Sequence, residues 1–384
     1  MLLNQEMYLS LDDISIVPAV TTSIKHRSEC NIYYENYKLP IFTAPMSSIV
    51  NIDNANIFDS AGINVIIPRT VDLYNRLKLS NRYFIAVGLD EFENKILELD
   101  LKDSEPIKIC LDVANGHMTQ LLDLCQESKK KFGNKIILMA GNIANPETYD
   151  MYAMAGIDYV RVGIGGGNAC LTAESVSIHM PLASLISKIY ERKANLSRFF
   201  YKLPYIVADG GIDSYDKIIK CLALGADYVM CGKIFAQCNE ACGEICKKVL
   251  YNSGAFKYLS GSELSEAENI INQKHHIIYR QNEDYPILIE QNVDYHKYYG
   301  MSTKKAQKEM GKKDLHTSEG VEIIIKVEYN LKGWIENFAD YLRSAMSYCN
   351  VNNISDFQKF SQVIHINTSL NLKVLLFLLL FHSL

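Results

Sequence analysis

Eight short apolar runs, each leading into a longer amphipathic stretch, recur between Leu39 and Gly232. A run of this kind that ends in a small or polar residue is the pattern of a strand followed by a helix. Strands that are apolar along their whole length are typical of parallel sheets covered by helices. The runs are LPIFTAP from Leu39, INVIIP from Ile63, YFIAVG from Tyr83, IKICLD from Ile107, KIILMAG from Lys135, DYVRVG from Asp158, YIVADG from Tyr205 and DYVMCG from Asp227.

The repetition predicts an α/β fold in which eight strand–helix units close into a (β/α)8 TIM barrel. Two of the intervening stretches begin with a capping residue, Asn145 or Asp213, and end with a glycine before the next strand. The alternative is an open doubly wound sheet, which binds its nucleotide at the first glycine-rich turn. Here the glycine-rich loop follows the sixth strand, and this late position favours the barrel.

The chain after the eighth strand changes in composition. Residues 251–299 are polar and lack the strand–helix period, so we expect a surface excursion there, followed by a flap and active-site segment at 300–320. We assign residues 1–368 to a single barrel domain and residues 369–384 to an apolar tail. The apolar run of the tail is shorter than the roughly 20 residues that a membrane-spanning helix needs. We therefore expect a terminal helix, a partner-binding segment or an appendage without a role, and no membrane association.

The amino-acid composition excludes several kinds of protein and partner. The 384 residues are 48% hydrophobic and 22% charged, which is typical of a folded soluble chain. The net charge of -5 provides no general basic surface, so we expect no nucleic-acid partner. Ten cysteines without a signal peptide or the regular spacing of a disulfide scaffold indicate a reducing environment. We expect a cytoplasmic protein.

Polar residues and glycines gather where the predicted strands end, and in a barrel the loops at these carboxyl ends carry the chemistry. They combine acids, amides, one thiol and a main chain that a ligand can approach closely, which indicates a nucleotide site. The positions are Met46, Asp112, Asn115, Asn142, residues 163–172, Asp209–Gly211, Gly232 and Lys233.

Two glycine-rich turns, DGGI from Asp209 and MCGK from Met230, end the seventh and eighth strands. Barrels often bind phosphate at this place through backbone N–H groups. Either turn alone could be purely structural, but the two together favour a phosphate site. Asp209 lies at the predicted rim, where its carboxylate could accept two hydrogen bonds from a ribose diol, and we favour this role over that of a simple turn aspartate.

Cys170 is the candidate nucleophile, because it follows the glycine-rich run RVGIGGGNA. The glycines favour exposure of the thiol, and nearby dipoles lower the pKa of such a cysteine. Thr172, two residues on, offers a hydroxyl that can relay a proton. The alternative is a buried cysteine without a chemical role.

Other cysteines and histidines in the sequence give only a weak indication of a metal site. Cys238, Cys242 and Cys246 would form one stripe on a helix, and we expect this stripe to be packed rather than to bind zinc. His275 and His276 are neighbours that point in different directions, so we expect a solvated surface.

Nine runs together resemble the family of IMP dehydrogenase and GMP reductase, the purine nucleotide barrels that use a cysteine. They occur in the order of the family and cover roughly Tyr8 to Thr368. The runs are LSLDDISIVPA, APMSS, ICLDVANGH, MAGNIA, VGIGGGNACLT, VADGGI, GADYVMCGKIFA, YYGMS and TSEGVE.

The resemblance implies that Cys170 attacks C2 of a purine nucleoside monophosphate (GMP or IMP), with hydride passing between C2 and a nicotinamide cofactor. It implies proton transfer by Thr172 and Glu319, and assembly as a homotetramer. The remaining roles that it implies are ribose binding by Asp209; phosphate binding by Gly210, Gly211 and Gly232, with Asn168 and Lys233 beside them; base binding by Met46, Met301, Ser302, Ser318 and Gly320; cofactor binding by Asp112, Asn115, Gly116 and Asn142; and potassium binding by Gly165, Gly167 and Cys170.

Within this family the sequence is more similar to GMP reductase. The second predicted strand is followed at once by the third, without the regulatory (CBS) domain pair that IMP dehydrogenases usually insert. The flap sequence STKKAQKEMGKKDLHTSEG is short and has no Arg-Tyr pair to activate water. We therefore expect NADPH-dependent reductive deamination of GMP to IMP and ammonia.

Three alternatives stay open: an IMP dehydrogenase without the regulatory domain, a reductase of a modified purine monophosphate, and a purine-nucleotide sensor without catalysis. Departures from the family pattern motivate them. These departures are Pro68, Arg69, Asn168, Ala173, Lys233 and His316.

Overall fold

The computed structural model describes residues 7–167, 172–272, 284–311, 314–315, 317 and 320–366, without the side chains of Glu35, Thr172 and Glu174. The strands are β1 (Ile14–Val17), β2 (Ile41–Thr43), β3 (Ile66–Ile67), β4 (Phe84–Val87), β5 (Ile107–Leu111), β6 (Ile136–Ile143), β7 (Tyr159–Val162), β8 (Tyr205–Asp209), β9 (Tyr228–Cys231), β10 (Ile245–Tyr251), β11 (Phe256–Leu259), β12 (Pro286–Ile289), β13 (Tyr295–Tyr299), β14 (Glu322–Lys326) and β15 (Gln362–His365).

The helices lie mainly between the strands of the barrel. They are α1 (Ala55–Ser60), α2 (Leu73–Lys78), α3 (Leu89–Glu91), α4 (Thr119–Phe132), α5 (Pro146–Met154), α6 (Thr172–Val176), α7 (Leu182–Leu196), α8 (Tyr215–Ala223), α9 (Lys233–Ala236), α10 (Gly261–Asn272), α11 (Lys304–Glu309), α12 (Leu331–Tyr348) and α13 (Ile354–Phe360). Short 3₁₀ or π turns occupy Leu11–Asp13, Arg27–Glu29, Glu35–Tyr37, Phe92–Ile96 and Gly133–Lys135.

Strands β2 to β9 form one parallel sheet of eight strands in the order β2-β9-β8-β7-β6-β5-β4-β3. The sheet closes because Phe42 bridges Asn64, whose carbonyl accepts a hydrogen bond of 2.9 Å from the Thr43 amide. The predicted α/β TIM barrel is therefore confirmed. All eight predicted runs contain a strand of this sheet, and only α2 lies between β3 and β4, so the barrel carries no inserted domain there.

The structure confirms one of the two predicted helix caps. Asn145 caps α5 by accepting from the Glu147 amide, and the helix stops before Gly156, which has a φ of +73°. The predicted cap of α8 is wrong, because Ser214 and not Asp213 occupies the N-cap position. Asp213 binds lysines instead, as described below.

The chain after β9 builds a second sheet of five strands. Strands β11, β10, β13 and β14 pair in that order, and β12 pairs with β10. A small core of Val249, Leu259 and Ala267 lies between this sheet and α10. The segment 251–299 thus contains strands and a helix that sequence periodicity missed, because a core this small imposes little apolar repetition. Strand β13 leads directly into Gly300–Ser302 at the barrel mouth.

No helix within the described ranges is long and apolar enough to cross a membrane. The tail at 369–384 lies outside the described residues.

Candidate active site

Four polar side chains meet where β5 to β8 end. The Arg161 guanidinium donates to Asp112 Oδ1 at 3.0 Å and to Asp209 Oδ2 at 2.9 Å. Asn142 Nδ2 donates to the same Asp209 oxygen at 2.8 Å and to the Gly163 carbonyl at 2.8 Å. We call these four side chains, Asp112, Asn142, Arg161 and Asp209, the mouth network. It fixes the Asp209 carboxylate at the carboxyl end of the barrel.

Arg161 was not among the residues predicted from the sequence, although it lies in the predicted strand DYVRVG. The residue is 7% exposed within β7, and an arginine in an otherwise apolar barrel strand was the available signal. Burial opposes its charge, but Asp209, Cys110 and Asp112 outweigh that penalty and raise the pKa of Arg161 above its ordinary value. Its Nε is buried and has no hydrogen-bond partner among the described residues. Arg161 is therefore a permanent cation whose Nε donor has no partner among the described residues.

Asp209 keeps hydrogen-bonding capacity for a ligand. Its two described side-chain hydrogen bonds both use Oδ2, and 17% of its side chain is exposed. In the part of the chain that the structure describes, no hydrogen bond engages Oδ1. A carboxylate held in this way can accept from a sugar hydroxyl without turning away from it.

The glycine-rich loop packs main chain against main chain with the turn after β8. Gly163 has a φ of +128°, and a Cβ on it would lie 2.1 Å from the Asp209 carbonyl oxygen. Gly211 has a φ of +72°, and a Cβ there would lie 2.7 Å from the carbonyl oxygen of Gly166. Only glycine fits at these positions, so the loop is built for backbone contact rather than for flexibility.

Replacing Gly211 with alanine is therefore expected to destabilise the fold and to weaken ligand binding. The backbone strain and the contact with Gly166 together should lower the free energy of unfolding by about 2–4 kcal/mol. Urea denaturation measures this change. Gly156→Ala is the matched control, because its φ is similar at +73° but no atom lies within 4 Å of the added Cβ. Equal losses in the two variants would contradict the proposed packing.

Two adjoining cavities open at the mouth. The small mouth cavity has a volume of about 200 Å³ and brings together several predicted residues from the phosphate turns and the base-binding segment. Among its lining residues are Met46, Gly167, Asp209, Gly210, Gly211, Gly232, Lys233, Met301 and Ser302.

The large mouth cavity has a volume of about 800 Å³ and shares Met301 and Ser302 with the small one. Its lining includes Asp112, Asn142 and Gly165. A bound nucleotide and a second molecule could therefore meet along the shared wall.

Some predicted residues lie beside the cavities rather than in their lining. Asn115 is exposed, and its Oδ1 accepts from the His117 amide at 2.9 Å. Gly116 is buried, and its amide donates to the Asn142 carbonyl at 2.9 Å. Gly320 is buried outside both linings. Cofactor contact by the first two and base contact by the third stay predictions.

The predicted nucleophile lies outside the described residues, together with four other sites named from the sequence. These are Asn168, Cys170, His316, Ser318 and Glu319. Thr172 begins α6, but its side chain is not described, and Ala173 packs beside Gly165.

A cation does stand after the second barrel strand, where Pro68 and Arg69 depart from the family pattern. The Arg69 guanidinium lines the large mouth cavity and donates to the Asp112 carbonyl at 3.3 Å. It lies over Gly88, where a Cβ would come within 2.4 Å of Nη2. Arg69 therefore places positive charge next to the mouth network.

A second cation borders the small mouth cavity. Lys233 Nζ lies 3.3 Å from Asp213 Oδ2, and its side chain is 31% exposed. Lys217 pairs with the other oxygen of Asp213 at 3.1 Å without lining either cavity. Lys233 thus adds charge beside the Gly232 turn and leaves the cavity open.

The prediction that three cysteines form one stripe on a helix is wrong. Cys238 and Cys242 lie in the connection after α9, and Cys246 lies in β10. Within the described residues, no cluster of three or more His, Cys, Asp or Glu side chains could hold a metal ion. His275 and His276 lie outside those residues.

Several known proteins are similar to this chain in sequence. A family model, "IMP dehydrogenase / GMP reductase domain", matches residues 75–286. An inosine-5'-monophosphate dehydrogenase of Chlorobaculum parvum is 29% identical over 78% of this chain and 52% of its own length. A GMP reductase of Vibrio vulnificus is 23% identical over 95% of this chain and 97% of its own, and one of Bacillus subtilis is 27% identical over 78% and 93%. The chain thus spans about half the length of the dehydrogenases that it matches.

Proposed function

Because the chain belongs to the IMP dehydrogenase / GMP reductase family of oxidoreductases, we propose that it is a GMP reductase, which uses NADPH to convert GMP to IMP and ammonia. The observation that carries this choice is the extent of similarity. The alignment covers 97% and 93% of the GMP reductases of Vibrio vulnificus and Bacillus subtilis, but only 52% of the Chlorobaculum parvum dehydrogenase. The direct connection from β3 through α2 to β4 supports the same choice.

The substrate would lie with its ribose at the Asp209 carboxylate and its phosphate at the glycine turns. Asp209 Oδ1 is the acceptor for the sugar hydroxyls, while Arg161 and Asn142 hold the other oxygen. Backbone N–H groups of Gly210–Gly211 and Gly232 would donate to the phosphate. The base would extend between Met46 and Met301 toward Cys170.

Cys170 would act as the nucleophile in a balanced sequence. Its thiolate forms a bond to C2 of GMP, and the exocyclic C2–N bond breaks after the amino group is protonated, which releases ammonia. Thr172 and Glu319 would move the proton. Hydride then adds to C2 of the thioimidate, and the C2–S bond breaks, which returns the thiolate and yields IMP.

The large mouth cavity is the proposed place for the nicotinamide. When bound there, NADPH would supply the hydride. The residues present fit such a group, since the buried Nε of Arg161 lacks a described partner and Arg69 adds a positive charge to the lining. Asp112 and Asn142 would orient the ring, with Asn115 and Gly116 behind them.

A monovalent cation, potassium, would bind the carbonyl oxygens of Gly165, Gly167 and Cys170. The described part of this loop fits a carbonyl site, because the positive φ of Gly165 turns its main chain and His179 Nδ1 fixes the preceding Ile164 carbonyl at 2.7 Å. Assembly as a homotetramer is proposed from the resemblance, and a cytoplasmic location is proposed from the cysteine content. The described cysteines are all unpaired, which fits a reducing compartment.

Lys233 is expected to bind the substrate phosphate. Lys233→Ala should raise the KM for GMP about three- to tenfold with little change in kcat, because a partly exposed charge-assisted hydrogen bond is lost. Steady-state kinetics measure this effect. Lys217→Ala removes the neighbouring partner of Asp213 without touching the cavity and should leave KM unchanged. A fall in kcat alone would contradict phosphate binding.

One absorbance assay tests the proposed function. The protein is mixed with GMP and NADPH, and separately with IMP and NAD, in potassium buffer. We expect NADPH absorbance to fall only in the first mixture. NADH produced from IMP would assign the protein to the dehydrogenase branch. No change in either mixture would favour a nucleotide sensor.

A further inference from the structure

A third cavity opens at the opposite end of the barrel from Asp209. It has a volume of about 440 Å³ and is lined by residues at the amino ends of the strands, among them Phe84, Tyr159, Tyr205 and Tyr228. We call it the floor pocket. Its size falls within the range of about 300–1,000 Å³ typical of small-molecule sites. It shares no lining residue with the two mouth cavities.

Aromatic rings form one wall of the floor pocket. Tyr159 contacts Tyr205 with ring centroids 5.0 Å apart, and Tyr228 contacts Phe42 and Tyr34 at the same distance. Tyr205 is 41% exposed, so its ring is open to a ligand. Burial raises the pKa of Tyr159 and Tyr228, which keeps both hydroxyls neutral. The wall therefore offers π-surfaces without negative charge.

Cations also line the floor pocket. Lys38 and Arg82 both bind Asp59, and Arg82 Nη2 lies 2.5 Å from Asp59 Oδ2. Lys108 stands beside them, and its described hydrogen bond goes to the Arg82 carbonyl at 2.9 Å. Among the described lining residues, three cationic side chains thus face one carboxylate.

Lys108 has ammonium donors to which a ligand could bind. Partial burial lowers the pKa of its ammonium, with Asp59 opposing and Lys38 adding to the effect. Two ammonium donors remain beyond its described bond to Arg82. Lys108 is half-buried and its bond to the Arg82 carbonyl lies on the exposed side, so these two donors are accessible to a ligand in the pocket.

We propose that the floor pocket binds a small aromatic anion, with its ring against the tyrosine wall and its negative group at Lys108 and Arg82. The class includes aromatic phosphates and carboxylates. Such a ligand would bind independently of the catalytic site at the barrel mouth, and it takes no part in the reaction proposed there.

Isothermal titration with 1-naphthyl phosphate tests the proposal, because this probe has a ring and a dianion but no ribose for Asp209. We expect saturable binding, and at least about tenfold weaker binding of 1-naphthol and of inorganic phosphate, which each lack one half of the recognition. Lys108→Gln should weaken the binding of 1-naphthyl phosphate about tenfold, the value of one charge-assisted hydrogen bond.

Matched variants distinguish binding of the probe in the floor pocket from binding at the barrel mouth. Lys102→Gln removes an exposed lysine outside the pocket, and Lys233→Ala removes the cation beside the phosphate turns at the mouth; neither should change the affinity. Unchanged affinity in Lys108→Gln, or loss in Lys233→Ala, would overturn the proposal, as would a failure of the probe to bind. Because the probe needs neither GMP nor NADPH, the result stands apart from that of the absorbance assay.

Discussion

Cys170→Ala is expected to abolish turnover of GMP with NADPH while leaving GMP binding nearly intact. The thiolate is the only protein atom that bonds to C2 in the proposed reaction, so its loss should lower kcat by more than about a thousandfold. Affinity for GMP should change less than about threefold, because Asp209 and the glycine turns hold the ribose and phosphate. Steady-state kinetics and isothermal titration measure the two quantities separately.

Cys242→Ala is the matched control for this variant. Cys242 is half-buried, its thiol donates to the Ser47 carbonyl at 3.1 Å, and it lines neither mouth cavity. Burial raises the pKa of that thiol to about 12, so it is not a nucleophile at neutral pH. Substantial turnover by Cys170→Ala would refute the covalent mechanism, whatever the control shows.

Arg161→Met is expected to be strongly destabilising and inactive. The variant leaves Asp112 and Asp209 close together without their shared cation, and breaking a buried ion pair in this way costs about 3–5 kcal/mol. Urea denaturation should show this loss in the free energy of unfolding. Turnover should fall as well, because Asp209 loses the partner that fixes its carboxylate for the ribose.

Two further variants test whether the loss of stability in Arg161→Met comes from its buried ion pairs. Arg192→Met removes a partly exposed pair with Asp150 and should cost only about 0–1 kcal/mol. Arg161→Lys keeps a charge but cannot hold two carboxylates in the same planar geometry, so it should fall between Arg161→Met and the natural protein. A loss in Arg161→Met no greater than that in Arg192→Met would show that the mouth network adds little stability.

The barrel was predictable because its signals are local and repeated. Each strand has a continuous apolar run, and residues such as Asn145 mark where a helix begins. The five-stranded sheet was not predictable, because its strands, apart from the β10–β11 hairpin, pair across long separations around a small core. The same holds for β1, whose Ile14 lies opposite His365 at the far end of the chain. Pairing of that kind leaves no periodic mark in either segment.

The site was predictable where close backbone contacts require a particular residue type. Gly163 and Gly211 are positions that only glycine can occupy, so the sequence itself marks the place where the two loops touch. Arg161 was missed because its role depends on two carboxylates from other strands, which come together only after the barrel closes. Lys108 in the floor pocket was missed for the same reason.

The most direct test of the proposed reaction is the fate of the cofactor hydride. The protein is incubated with GMP and with NADPH that carries deuterium at both C4 positions of the nicotinamide, and the nucleotide product is analysed by mass spectrometry. We predict IMP that carries one deuterium at C2, with one ammonia released for each NADPH consumed. IMP without deuterium, or unchanged GMP in a protein that oxidises IMP with NAD, would contradict the account.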